Sequence, residues 1–430
     1  MKHVAAIACL VTAIAAASYA GFSAGIYAAL VLVIVHRLLR ADARGLMLVP
    51  LLSLLLGLIR PDGVIIGVVA TLLALALCPR EQRLAYVRVM LATGLLGIAY
   101  FIGRWLYFGQ TLPLPLYVKS ASHQLLPGLK ENWRWLQHDA WLVAAAASYF
   151  FVFARDKGRL FLAGLPVVAL LAALSFAVQS QNVEYRFQAP AVVVALFLTA
   201  LLAAHSHRLL ASRSRLAALA VVGMLAVLPL WAQAKSLQTL LTYLGNDDYI
   251  NDFPHFLRDQ LDADTVIALT EAGRAAYWLP GKKYDLVGLN TVHTAKHGAD
   301  VDYLRSLKPD IVFLHVVRTV EFPCDDPDFC SSADIDFPAV FATSDHANYA
   351  AFERRVRRAP LAAFAYFLQE PETYDYFTVR LGSEFSHLWA IRRDTMDRER
   401  FEAALQASHD PQQSLSYWQM TGALRQRPVQ

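Results

Sequence analysis

Apolar runs of roughly 15 to 20 residues, about the length a helix needs to cross a bilayer, recur along this chain as far as residue 235, and a soluble core cannot bury so many in succession. Nine such runs fall near 3–20, 22–38, 45–59, 64–78, 88–108, 140–154, 160–178, 189–204 and 216–235. Composition points the same way: 56% of the residues are hydrophobic and 17% charged, where an ordinary soluble domain has about 25% charged. The chain therefore reads as an α-helical polytopic membrane protein with membrane lipid as its solvent. Its net charge of +4 is small for 430 residues, and the basic residues cluster in short loops between the runs. They read as topology signals, and nucleic acid is excluded as a partner.

Orientation follows from those loops, because short segments rich in arginine and lysine stay in the cytoplasm. Arg37, Arg40 and Arg44 share one loop; Arg80, Arg83 and Arg88 occupy the next but one; Arg155, Lys157 and Arg159, then Arg208, Arg213 and Arg215, continue the alternation. The loops at 60–63, 109–139 and 179–188 then face outward, with everything after about residue 236. The first twenty residues also resemble a secretory signal, with Lys2, a short apolar core and Ser18-Tyr19-Ala20 at its end. Cleaved or retained as a helix, that segment leaves the direction of every later span unchanged.

From about residue 245 the composition becomes that of a soluble fold, so the chain divides into a transmembrane helical domain over 1–240 and an extracytoplasmic α/β domain over 241–430. Within the latter, 265–270, 284–287 and 310–316 read as strands, 272–279 as a helical turn and 301–307 as a helix. The stretches 377–381 and 387–391 read as a closing pair of strands, and the residues after about 394 as a polar helix. Cys9 and Cys78 lie in or beside apolar runs, whereas Cys324 and Cys330 bracket a short polar stretch of the soluble part. That pair is either two thiols or a small disulfide loop, which an oxidising outer compartment would preserve.

Chemistry is expected where polar groups meet the ends of spans, since desolvating them there is costly. Three outward stretches carry such groups. In Arg60-Pro61-Asp62-Gly63, Pro61 fixes the turn and Gly63 relaxes it, holding a guanidinium and a carboxylate at one depth; Arg60 either clamps a phosphate through its planar fork or closes an ion pair that caps the helix ends. The stretch 107–119 contains Tyr107, Tyr117 and Lys119, the last being either a second cation for an anionic head group or an interfacial lysine. Glu184-Tyr185-Arg186-Phe187 precedes a span that starts at Ala189-Pro190. Two arginines and a lysine on one membrane face suit a phosphate or pyrophosphate. His205 and His207 are a close pair in a cytoplasmic loop, so no metal set is expected, and neither a P-loop nor a dinucleotide fingerprint is present.

In this order and on this side, the three stretches resemble those of the GT-C superfamily of polyprenyl-phosphate-sugar glycosyltransferases, most of all bacterial terminal arabinofuranosyltransferases of the mycobacterial cell-wall type. That family's pattern is a span ending in RPDG, a YYG-x-x-x-PNT-x-x-x-K loop, and YRF before a proline-initiated span. It is matched here by Arg60, Pro61, Asp62 and Gly63, by Tyr107, Gly109, Pro113 and Lys119, and by Tyr185, Arg186 and Phe187. In the soluble part, Glu271-Ala272-Gly273, Asp285-Leu286-Val287-Gly288-Leu289-Asn290 and Lys308-Pro309-Asp310 are similar to the same family.

The resemblance implies a multi-pass protein of a bacterial inner membrane with its C-terminal domain in the periplasm. It implies a polyprenyl-phosphate-linked sugar, arabinofuranose among the candidates, as donor, no further cofactor, and a glycan, lipid or protein as acceptor. Transfer would be inverting. Arg60, Lys119 and Arg186 would stabilise the lipid-phosphate leaving group, and Tyr107, Tyr117 and Tyr185 would line the substrate pocket. One departure matters: such enzymes carry the catalytic carboxylate in a large first outward loop, and nothing here matches it. Either the sequence begins inside a longer protein, or it is a relative that has lost catalysis. Asp62 and Glu184 are second-rank candidates, and His293 reads as a surface histidine. Two rivals remain, a transporter or flippase of lipid-linked sugars, and a membrane scaffold whose soluble domain binds glycan or protein.

Overall fold

Sequence that is apolar on every side, with glycine and proline near its ends, forms helices wherever lipid replaces water. The computed structural model describes residues 23–119, 125–177, 179, 182, 185–211, 249–317, 329–331, 351–381 and 385–409. Seven of the nine apolar runs fall on these residues, and all seven are helical. They are α1 (Ala24–Arg40), α2 (Ala43–Met47) continuing into α3 (Val49–Ile59), α4 (Gly63–Leu77), α5 (Arg83–Phe108), α7 (Ala140–Ser148) and the helices α8 (Lys157–Ser175) and α9 (Ala189–Ala211). Between α5 and α7 lies the amphipathic α6 (Leu125–His138). The runs near 3–20 and 216–235 lie outside the described residues.

Three helical stretches, Arg80–Phe108, Lys157–Ser175 and Ala189–Ser206, are long and apolar enough to cross a membrane, while Ala43–Ile59, Gly63–Leu77 and Ala140–Phe153 are shorter apolar helices. Along α5 the side chains of Leu91, Leu95, Leu96, Ile98, Phe101 and Leu106 are exposed. So much bare hydrocarbon on one helix needs an apolar surrounding, and the chain is membrane-associated. The chain divides into two compact units, Met1–Gln110 with His123–Leu241, and Thr111–Ser122 with Thr242–Gln430. The stretch Thr111–Ser122, flanked in sequence by apolar runs, thus groups with the second unit.

In the first unit α3 and α4 form a tight antiparallel hairpin. Its closeness is set by Gly63, where a Cβ would stand 2.3 Å from the Leu56 carbonyl oxygen, and by Gly67, where one would stand 3.0 Å from the Ser53 Cβ. Gly63 is therefore needed for helix approach. It does not relax the turn, since it is absent from the glycines with positive φ. Tyr27, Val31, Ile34, Val35 and Leu38 of α1 are buried with Leu56, Ile66 and Ala70 of the hairpin and with Val167 and Leu170 of α8.

The second unit is a six-stranded sheet with strand order β2-β1-β3-β6-β5-β4, from β1 (Val266–Leu269), β2 (Lys282–Asp285), β3 (Ile311–Val317), β4 (Phe329–Ser331), β5 (Tyr374–Leu381) and β6 (Phe385–Arg392). Strand β1 runs parallel to β2 and β3, and β3, β6, β5 and β4 pair antiparallel in turn. Alternation along β3 divides two cores, as the pleat demands. Val312, Leu314 and Val316 meet Leu304 of α13 (Val301–Leu307), which follows the short α12 (Val292–His297), and Phe364 and Phe367 of α14 (Ala351–Gln369) on one face. On the other, Ile311 and Phe313 meet Phe253 of α10 (Tyr249–Leu257), Ala275 of α11 (Arg274–Trp278) and Phe401 of α15 (Arg398–His409).

One expectation for this unit needs correction. The second strand ends at Asp285 and does not run to Val287, because the Asp285 carboxylate accepts the backbone N–H groups of Val287 at 2.9 Å and Asn290 at 2.8 Å and turns the chain there. The long helix α14 escapes a hydropathy reading because it mixes four arginines with its apolar face.

Candidate functional site

The first unit assembles a cationic cluster from three separated segments. After α3, Arg60 leaves the helix in extended conformation, and its Nε and Nη2 donate to the two Asp62 carboxylate oxygens, each at 3.0 Å. Both side chains are largely buried. The Arg60 guanidinium carbon also lies 5.1 Å from the ring centre of Tyr27 on α1 and 5.4 Å from that of Phe187. Arg186 packs its own guanidinium 5.3 Å from the Phe187 ring. One aromatic ring is thus shared by two cations, a contact worth about 0.5–2 kcal/mol each where water is excluded.

Arg186 is buried, and burial first, then the positive charge of Arg60, pushes its pKa below the usual arginine range. Arg60, Asp62 and Arg186 thus bring two guanidinium groups and one carboxylate together. An anion between the guanidinium groups would offset both the lost hydration and the mutual repulsion. Tyr27 adds a hydroxyl that is fully buried and has no hydrogen-bond partner among the described residues. A buried hydroxyl left unpaired costs about 1–3 kcal/mol, and a ligand oxygen would recover that.

The turn bearing Arg186 is held by a network of carboxamides. Asn132 on α6 donates to the Leu171 carbonyl at 3.0 Å and to Ser175 Oγ at 2.9 Å. Gln188 donates to Asn132 Oδ1 at 2.9 Å and to Gln179 Oε1 at 2.6 Å. Asn182 donates to Gln179 Oε1 and to Gln188 Oε1, and accepts the Phe187 N–H at 3.0 Å. Helix α6 comes close enough to α8 that a Cβ on Gly128 would stand 2.2 Å from the Ser175 carbonyl oxygen. Tyr185 has φ of 51°, and its ring lies 5.1 Å from that of His138.

Of the candidates read from sequence, Arg60, Asp62 and Arg186 are brought together, whereas the ring of Tyr185 packs beside His138. Glu184 and Cys324 lie outside the described residues. Lys119 ends the short helix Leu114–Lys119, which belongs to the second unit. Tyr117, in the same helix, has its hydroxyl 2.9 Å from Thr111 Oγ1 and its ring 5.8 Å from the Lys296 ammonium. Tyr107 is exposed near the end of α5, edge-on to Phe108. Cys330 on β4 is disulfide-bonded, whereas Cys78 is a free buried thiol. Among the described residues no group of three or more histidine, cysteine or acidic side chains could hold a metal ion.

Sequence reasoning did not single out Tyr27 as a site residue, nor the network of Asn132, Gln179, Asn182 and Gln188. A usable clue for the network was present: Asn132, Gln179 and Gln188 are uncharged amides beside apolar helices, where an unsatisfied amide is expensive.

Residues 245–377 match the family described as a domain of unknown function, DUF8728. That match covers most of the sheet and none of the membrane helices. Neither the curated proteins nor the solved structures include one that matches the chain.

Proposed function

We propose that this chain handles a polyprenyl-phosphate-linked sugar at the outer face of a bacterial plasma membrane, as a GT-C-type inverting glycosyltransferase or part of one, with nine membrane spans and an extracytoplasmic C-terminal domain. The observation that carries the reading is the convergence of Arg60 and Arg186 on the single ring of Phe187, with Asp62 and Tyr27 both held against Arg60. Two largely buried guanidinium groups oppose the charge that builds on a departing phosphate. The disulfide at Cys330 supports an oxidising compartment for the second unit. Asp62, already chelated by Arg60, orients that cation, and the base that would deprotonate an acceptor hydroxyl is not assigned to any residue.

The bidentate Arg60–Asp62 pair also favours a second reading, in which the pair closes the hairpin and the protein moves or merely holds a lipid-linked sugar. Full-length protein in lipid nanodiscs, given a radiolabelled polyprenyl-phosphate sugar and cell-envelope acceptor, separates the two. The expected result is transfer of label, with Arg186→Ala raising the donor KM at least about tenfold, as losing a charge-assisted contact of about 1.5–3 kcal/mol implies. Equal transfer by wild type and Arg186→Ala would remove the phosphate role, and donor binding without transfer would select the second reading.

A further inference from the structure

The helix α12 is short, and its two faces differ. Thr294 and Ala295 are buried. The Thr294 hydroxyl donates to the Asp285 carbonyl at 2.5 Å, and Thr291 Oγ1, at the helix start, accepts the Asp285 N–H at 2.8 Å. Anchored in this way, the helix leaves His293, Lys296 and His297 exposed. Gly298, with positive φ, ends it. A helix of one or two turns does not hold itself in water, so its order rests on contacts of this kind.

Side chains four residues apart lie one above the other on a helix face. The rings of His293 and His297 accordingly meet, with centres 5.2 Å apart and planes at 48°. Lys296, the cation between them in sequence, reaches instead toward Tyr117, its ammonium 5.8 Å from that ring centre. His293 is also stacked on Tyr303 of α13, with centres 4.0 Å apart and planes 9° from parallel. Tyr303 is fixed in turn, since Asp300 accepts its N–H at 2.7 Å. One ring of the pair is thus held before any ligand arrives, which lowers the entropy cost of binding. Neither imidazole makes a hydrogen bond among the described residues, so the nitrogens remain for a ligand.

The spacing suits one ligand class. With a metal–imidazole bond of about 2.0–2.1 Å and a nitrogen about 1.1 Å from its ring centre, two rings on one tetrahedral ion have centres about 5 Å apart. The observed 5.2 Å meets that without backbone movement. Histidines at i and i+4 are also the arrangement by which one helix face offers two ligands to one metal. Two imidazoles suit copper, zinc or nickel, whereas calcium and magnesium need oxygen ligands.

We propose that His293 and His297 form a two-histidine site for a divalent late first-row transition-metal ion, with Cu2+ held most tightly and water filling the remaining positions. The ion clamps α12 across its length. Because α12 packs against the short helix Leu114–Lys119 within the second unit, the clamp also steadies the segment that ends in Lys119. The site is independent of the arginine cluster of the first unit.

Full-length protein carrying no polyhistidine tag, in lipid nanodiscs, is given copper(II) chloride up to one equivalent and followed by EPR, with zinc chloride in a parallel hydrogen-exchange arm. Copper is expected to saturate at one equivalent with couplings from two imidazole nitrogens. Zinc is expected to raise amide protection over Val292–His297 and Leu114–Lys119. His297→Ala and His293→Phe are each expected to weaken copper binding at least about tenfold, because loss of even an outer partner of a metal ligand costs about 10–100-fold. His293→Phe keeps an aromatic ring to stack on Tyr303, so a merely structural role for that ring would leave binding unchanged. His255→Ala, removing a ring that packs beside Phe256 on α10, is expected to bind as wild type does. Copper that spreads over many sites without saturating, a spectrum lacking the second nitrogen, or wild-type affinity in either the His293 or the His297 variant would overturn the proposal, as would an equal loss in His255→Ala.

Discussion

Substituting Gly63 by alanine tests how the α3–α4 hairpin holds Arg60 and Asp62. The added Cβ would lie 2.3 Å from the Leu56 carbonyl oxygen and 2.7 Å from its carbon, so the obstacle is backbone on both sides. Ordinary contact begins at 3.4 Å, and reaching it requires the helices to part by about 1 Å, an overpacking cost of about 1–3 kcal/mol. Gly94 on α5 is the control, since a Cβ there meets nothing within 4 Å, and removing a helical glycine gains about 0.5–1 kcal/mol. Thermal unfolding of detergent-solubilised full-length protein, followed by a thiol-reactive dye at buried Cys78, compares the two. Gly63→Ala should melt several degrees below wild type, at about 2–4 °C per kcal/mol for a domain of this size, with Gly94→Ala at or above wild type. If both alanine variants melt together, Gly63 does not set the helix approach, and the geometry built on that turn loses its support.

Acid should loosen the second unit. Burial, then the charge of His315, presses the His387 pKa well below the ordinary histidine value, and burial lowers that of His315. The unfolded chain therefore takes up protons at these rings more readily than the native state, so the stability they confer is complete above about pH 6.5 and falls below it, by at most about 1.4 kcal/mol per pH unit per ring. Hydrogen exchange of β3 and β6 amides at about pH 7.5 and about pH 5.5 should register that drop, and equal protection at both would contradict it. Gly288→Ala combines φ of 96° with a Cβ 2.5 Å from the Ala295 nitrogen, whereas Gly298→Ala has φ of 83° and open space. Chemical denaturation should find the second variant destabilised by about 1–3 kcal/mol from backbone strain alone and the first by a further ~1–3 kcal/mol from overpacking, and a reversed order would refute the packing argument.

Membrane helices and the order of the soluble elements were legible because each rests on local pattern. The run 301–307 reads as a helix from its own residues, and Asp300 caps it by accepting the Tyr303 N–H. Strand β3 is legible as an apolar run, interrupted at His315 alone, that follows Pro309-Asp310. The end of β2 was misread because Leu286 and Val287 look like strand, while a side-chain to backbone contact at Asp285 decides otherwise. Of the site, the arginines were visible as charges at span ends, but their partner choice was not. Arg60 could equally have faced a ligand, and its pairing with Asp62 depends on the angle at which the chain leaves α3. Tyr27 could not be nominated because its role depends on α1 packing beside segments some 30 and 160 residues away, at Arg60 and Phe187, a long-range juxtaposition that no periodicity encodes. The pair His315 and His387 was hidden for the same reason, since its members lie 72 residues apart and meet only through the β3–β6 register.

The interlocked amides of Asn132, Gln179, Asn182 and Gln188 have a consequence for how such a protein can change. Within the set Gln179 and Gln188 both donate and accept, Asn182 donates to both glutamines and Asn132 accepts from both, so a drifting lineage cannot exchange one for leucine without stranding its neighbours in hydrocarbon. The four are bound to vary as a block, and the loop that carries Arg186 inherits its shape from them. In any set of descendants, the arginine's neighbourhood should be older and slower to diverge than the exposed flank of α5.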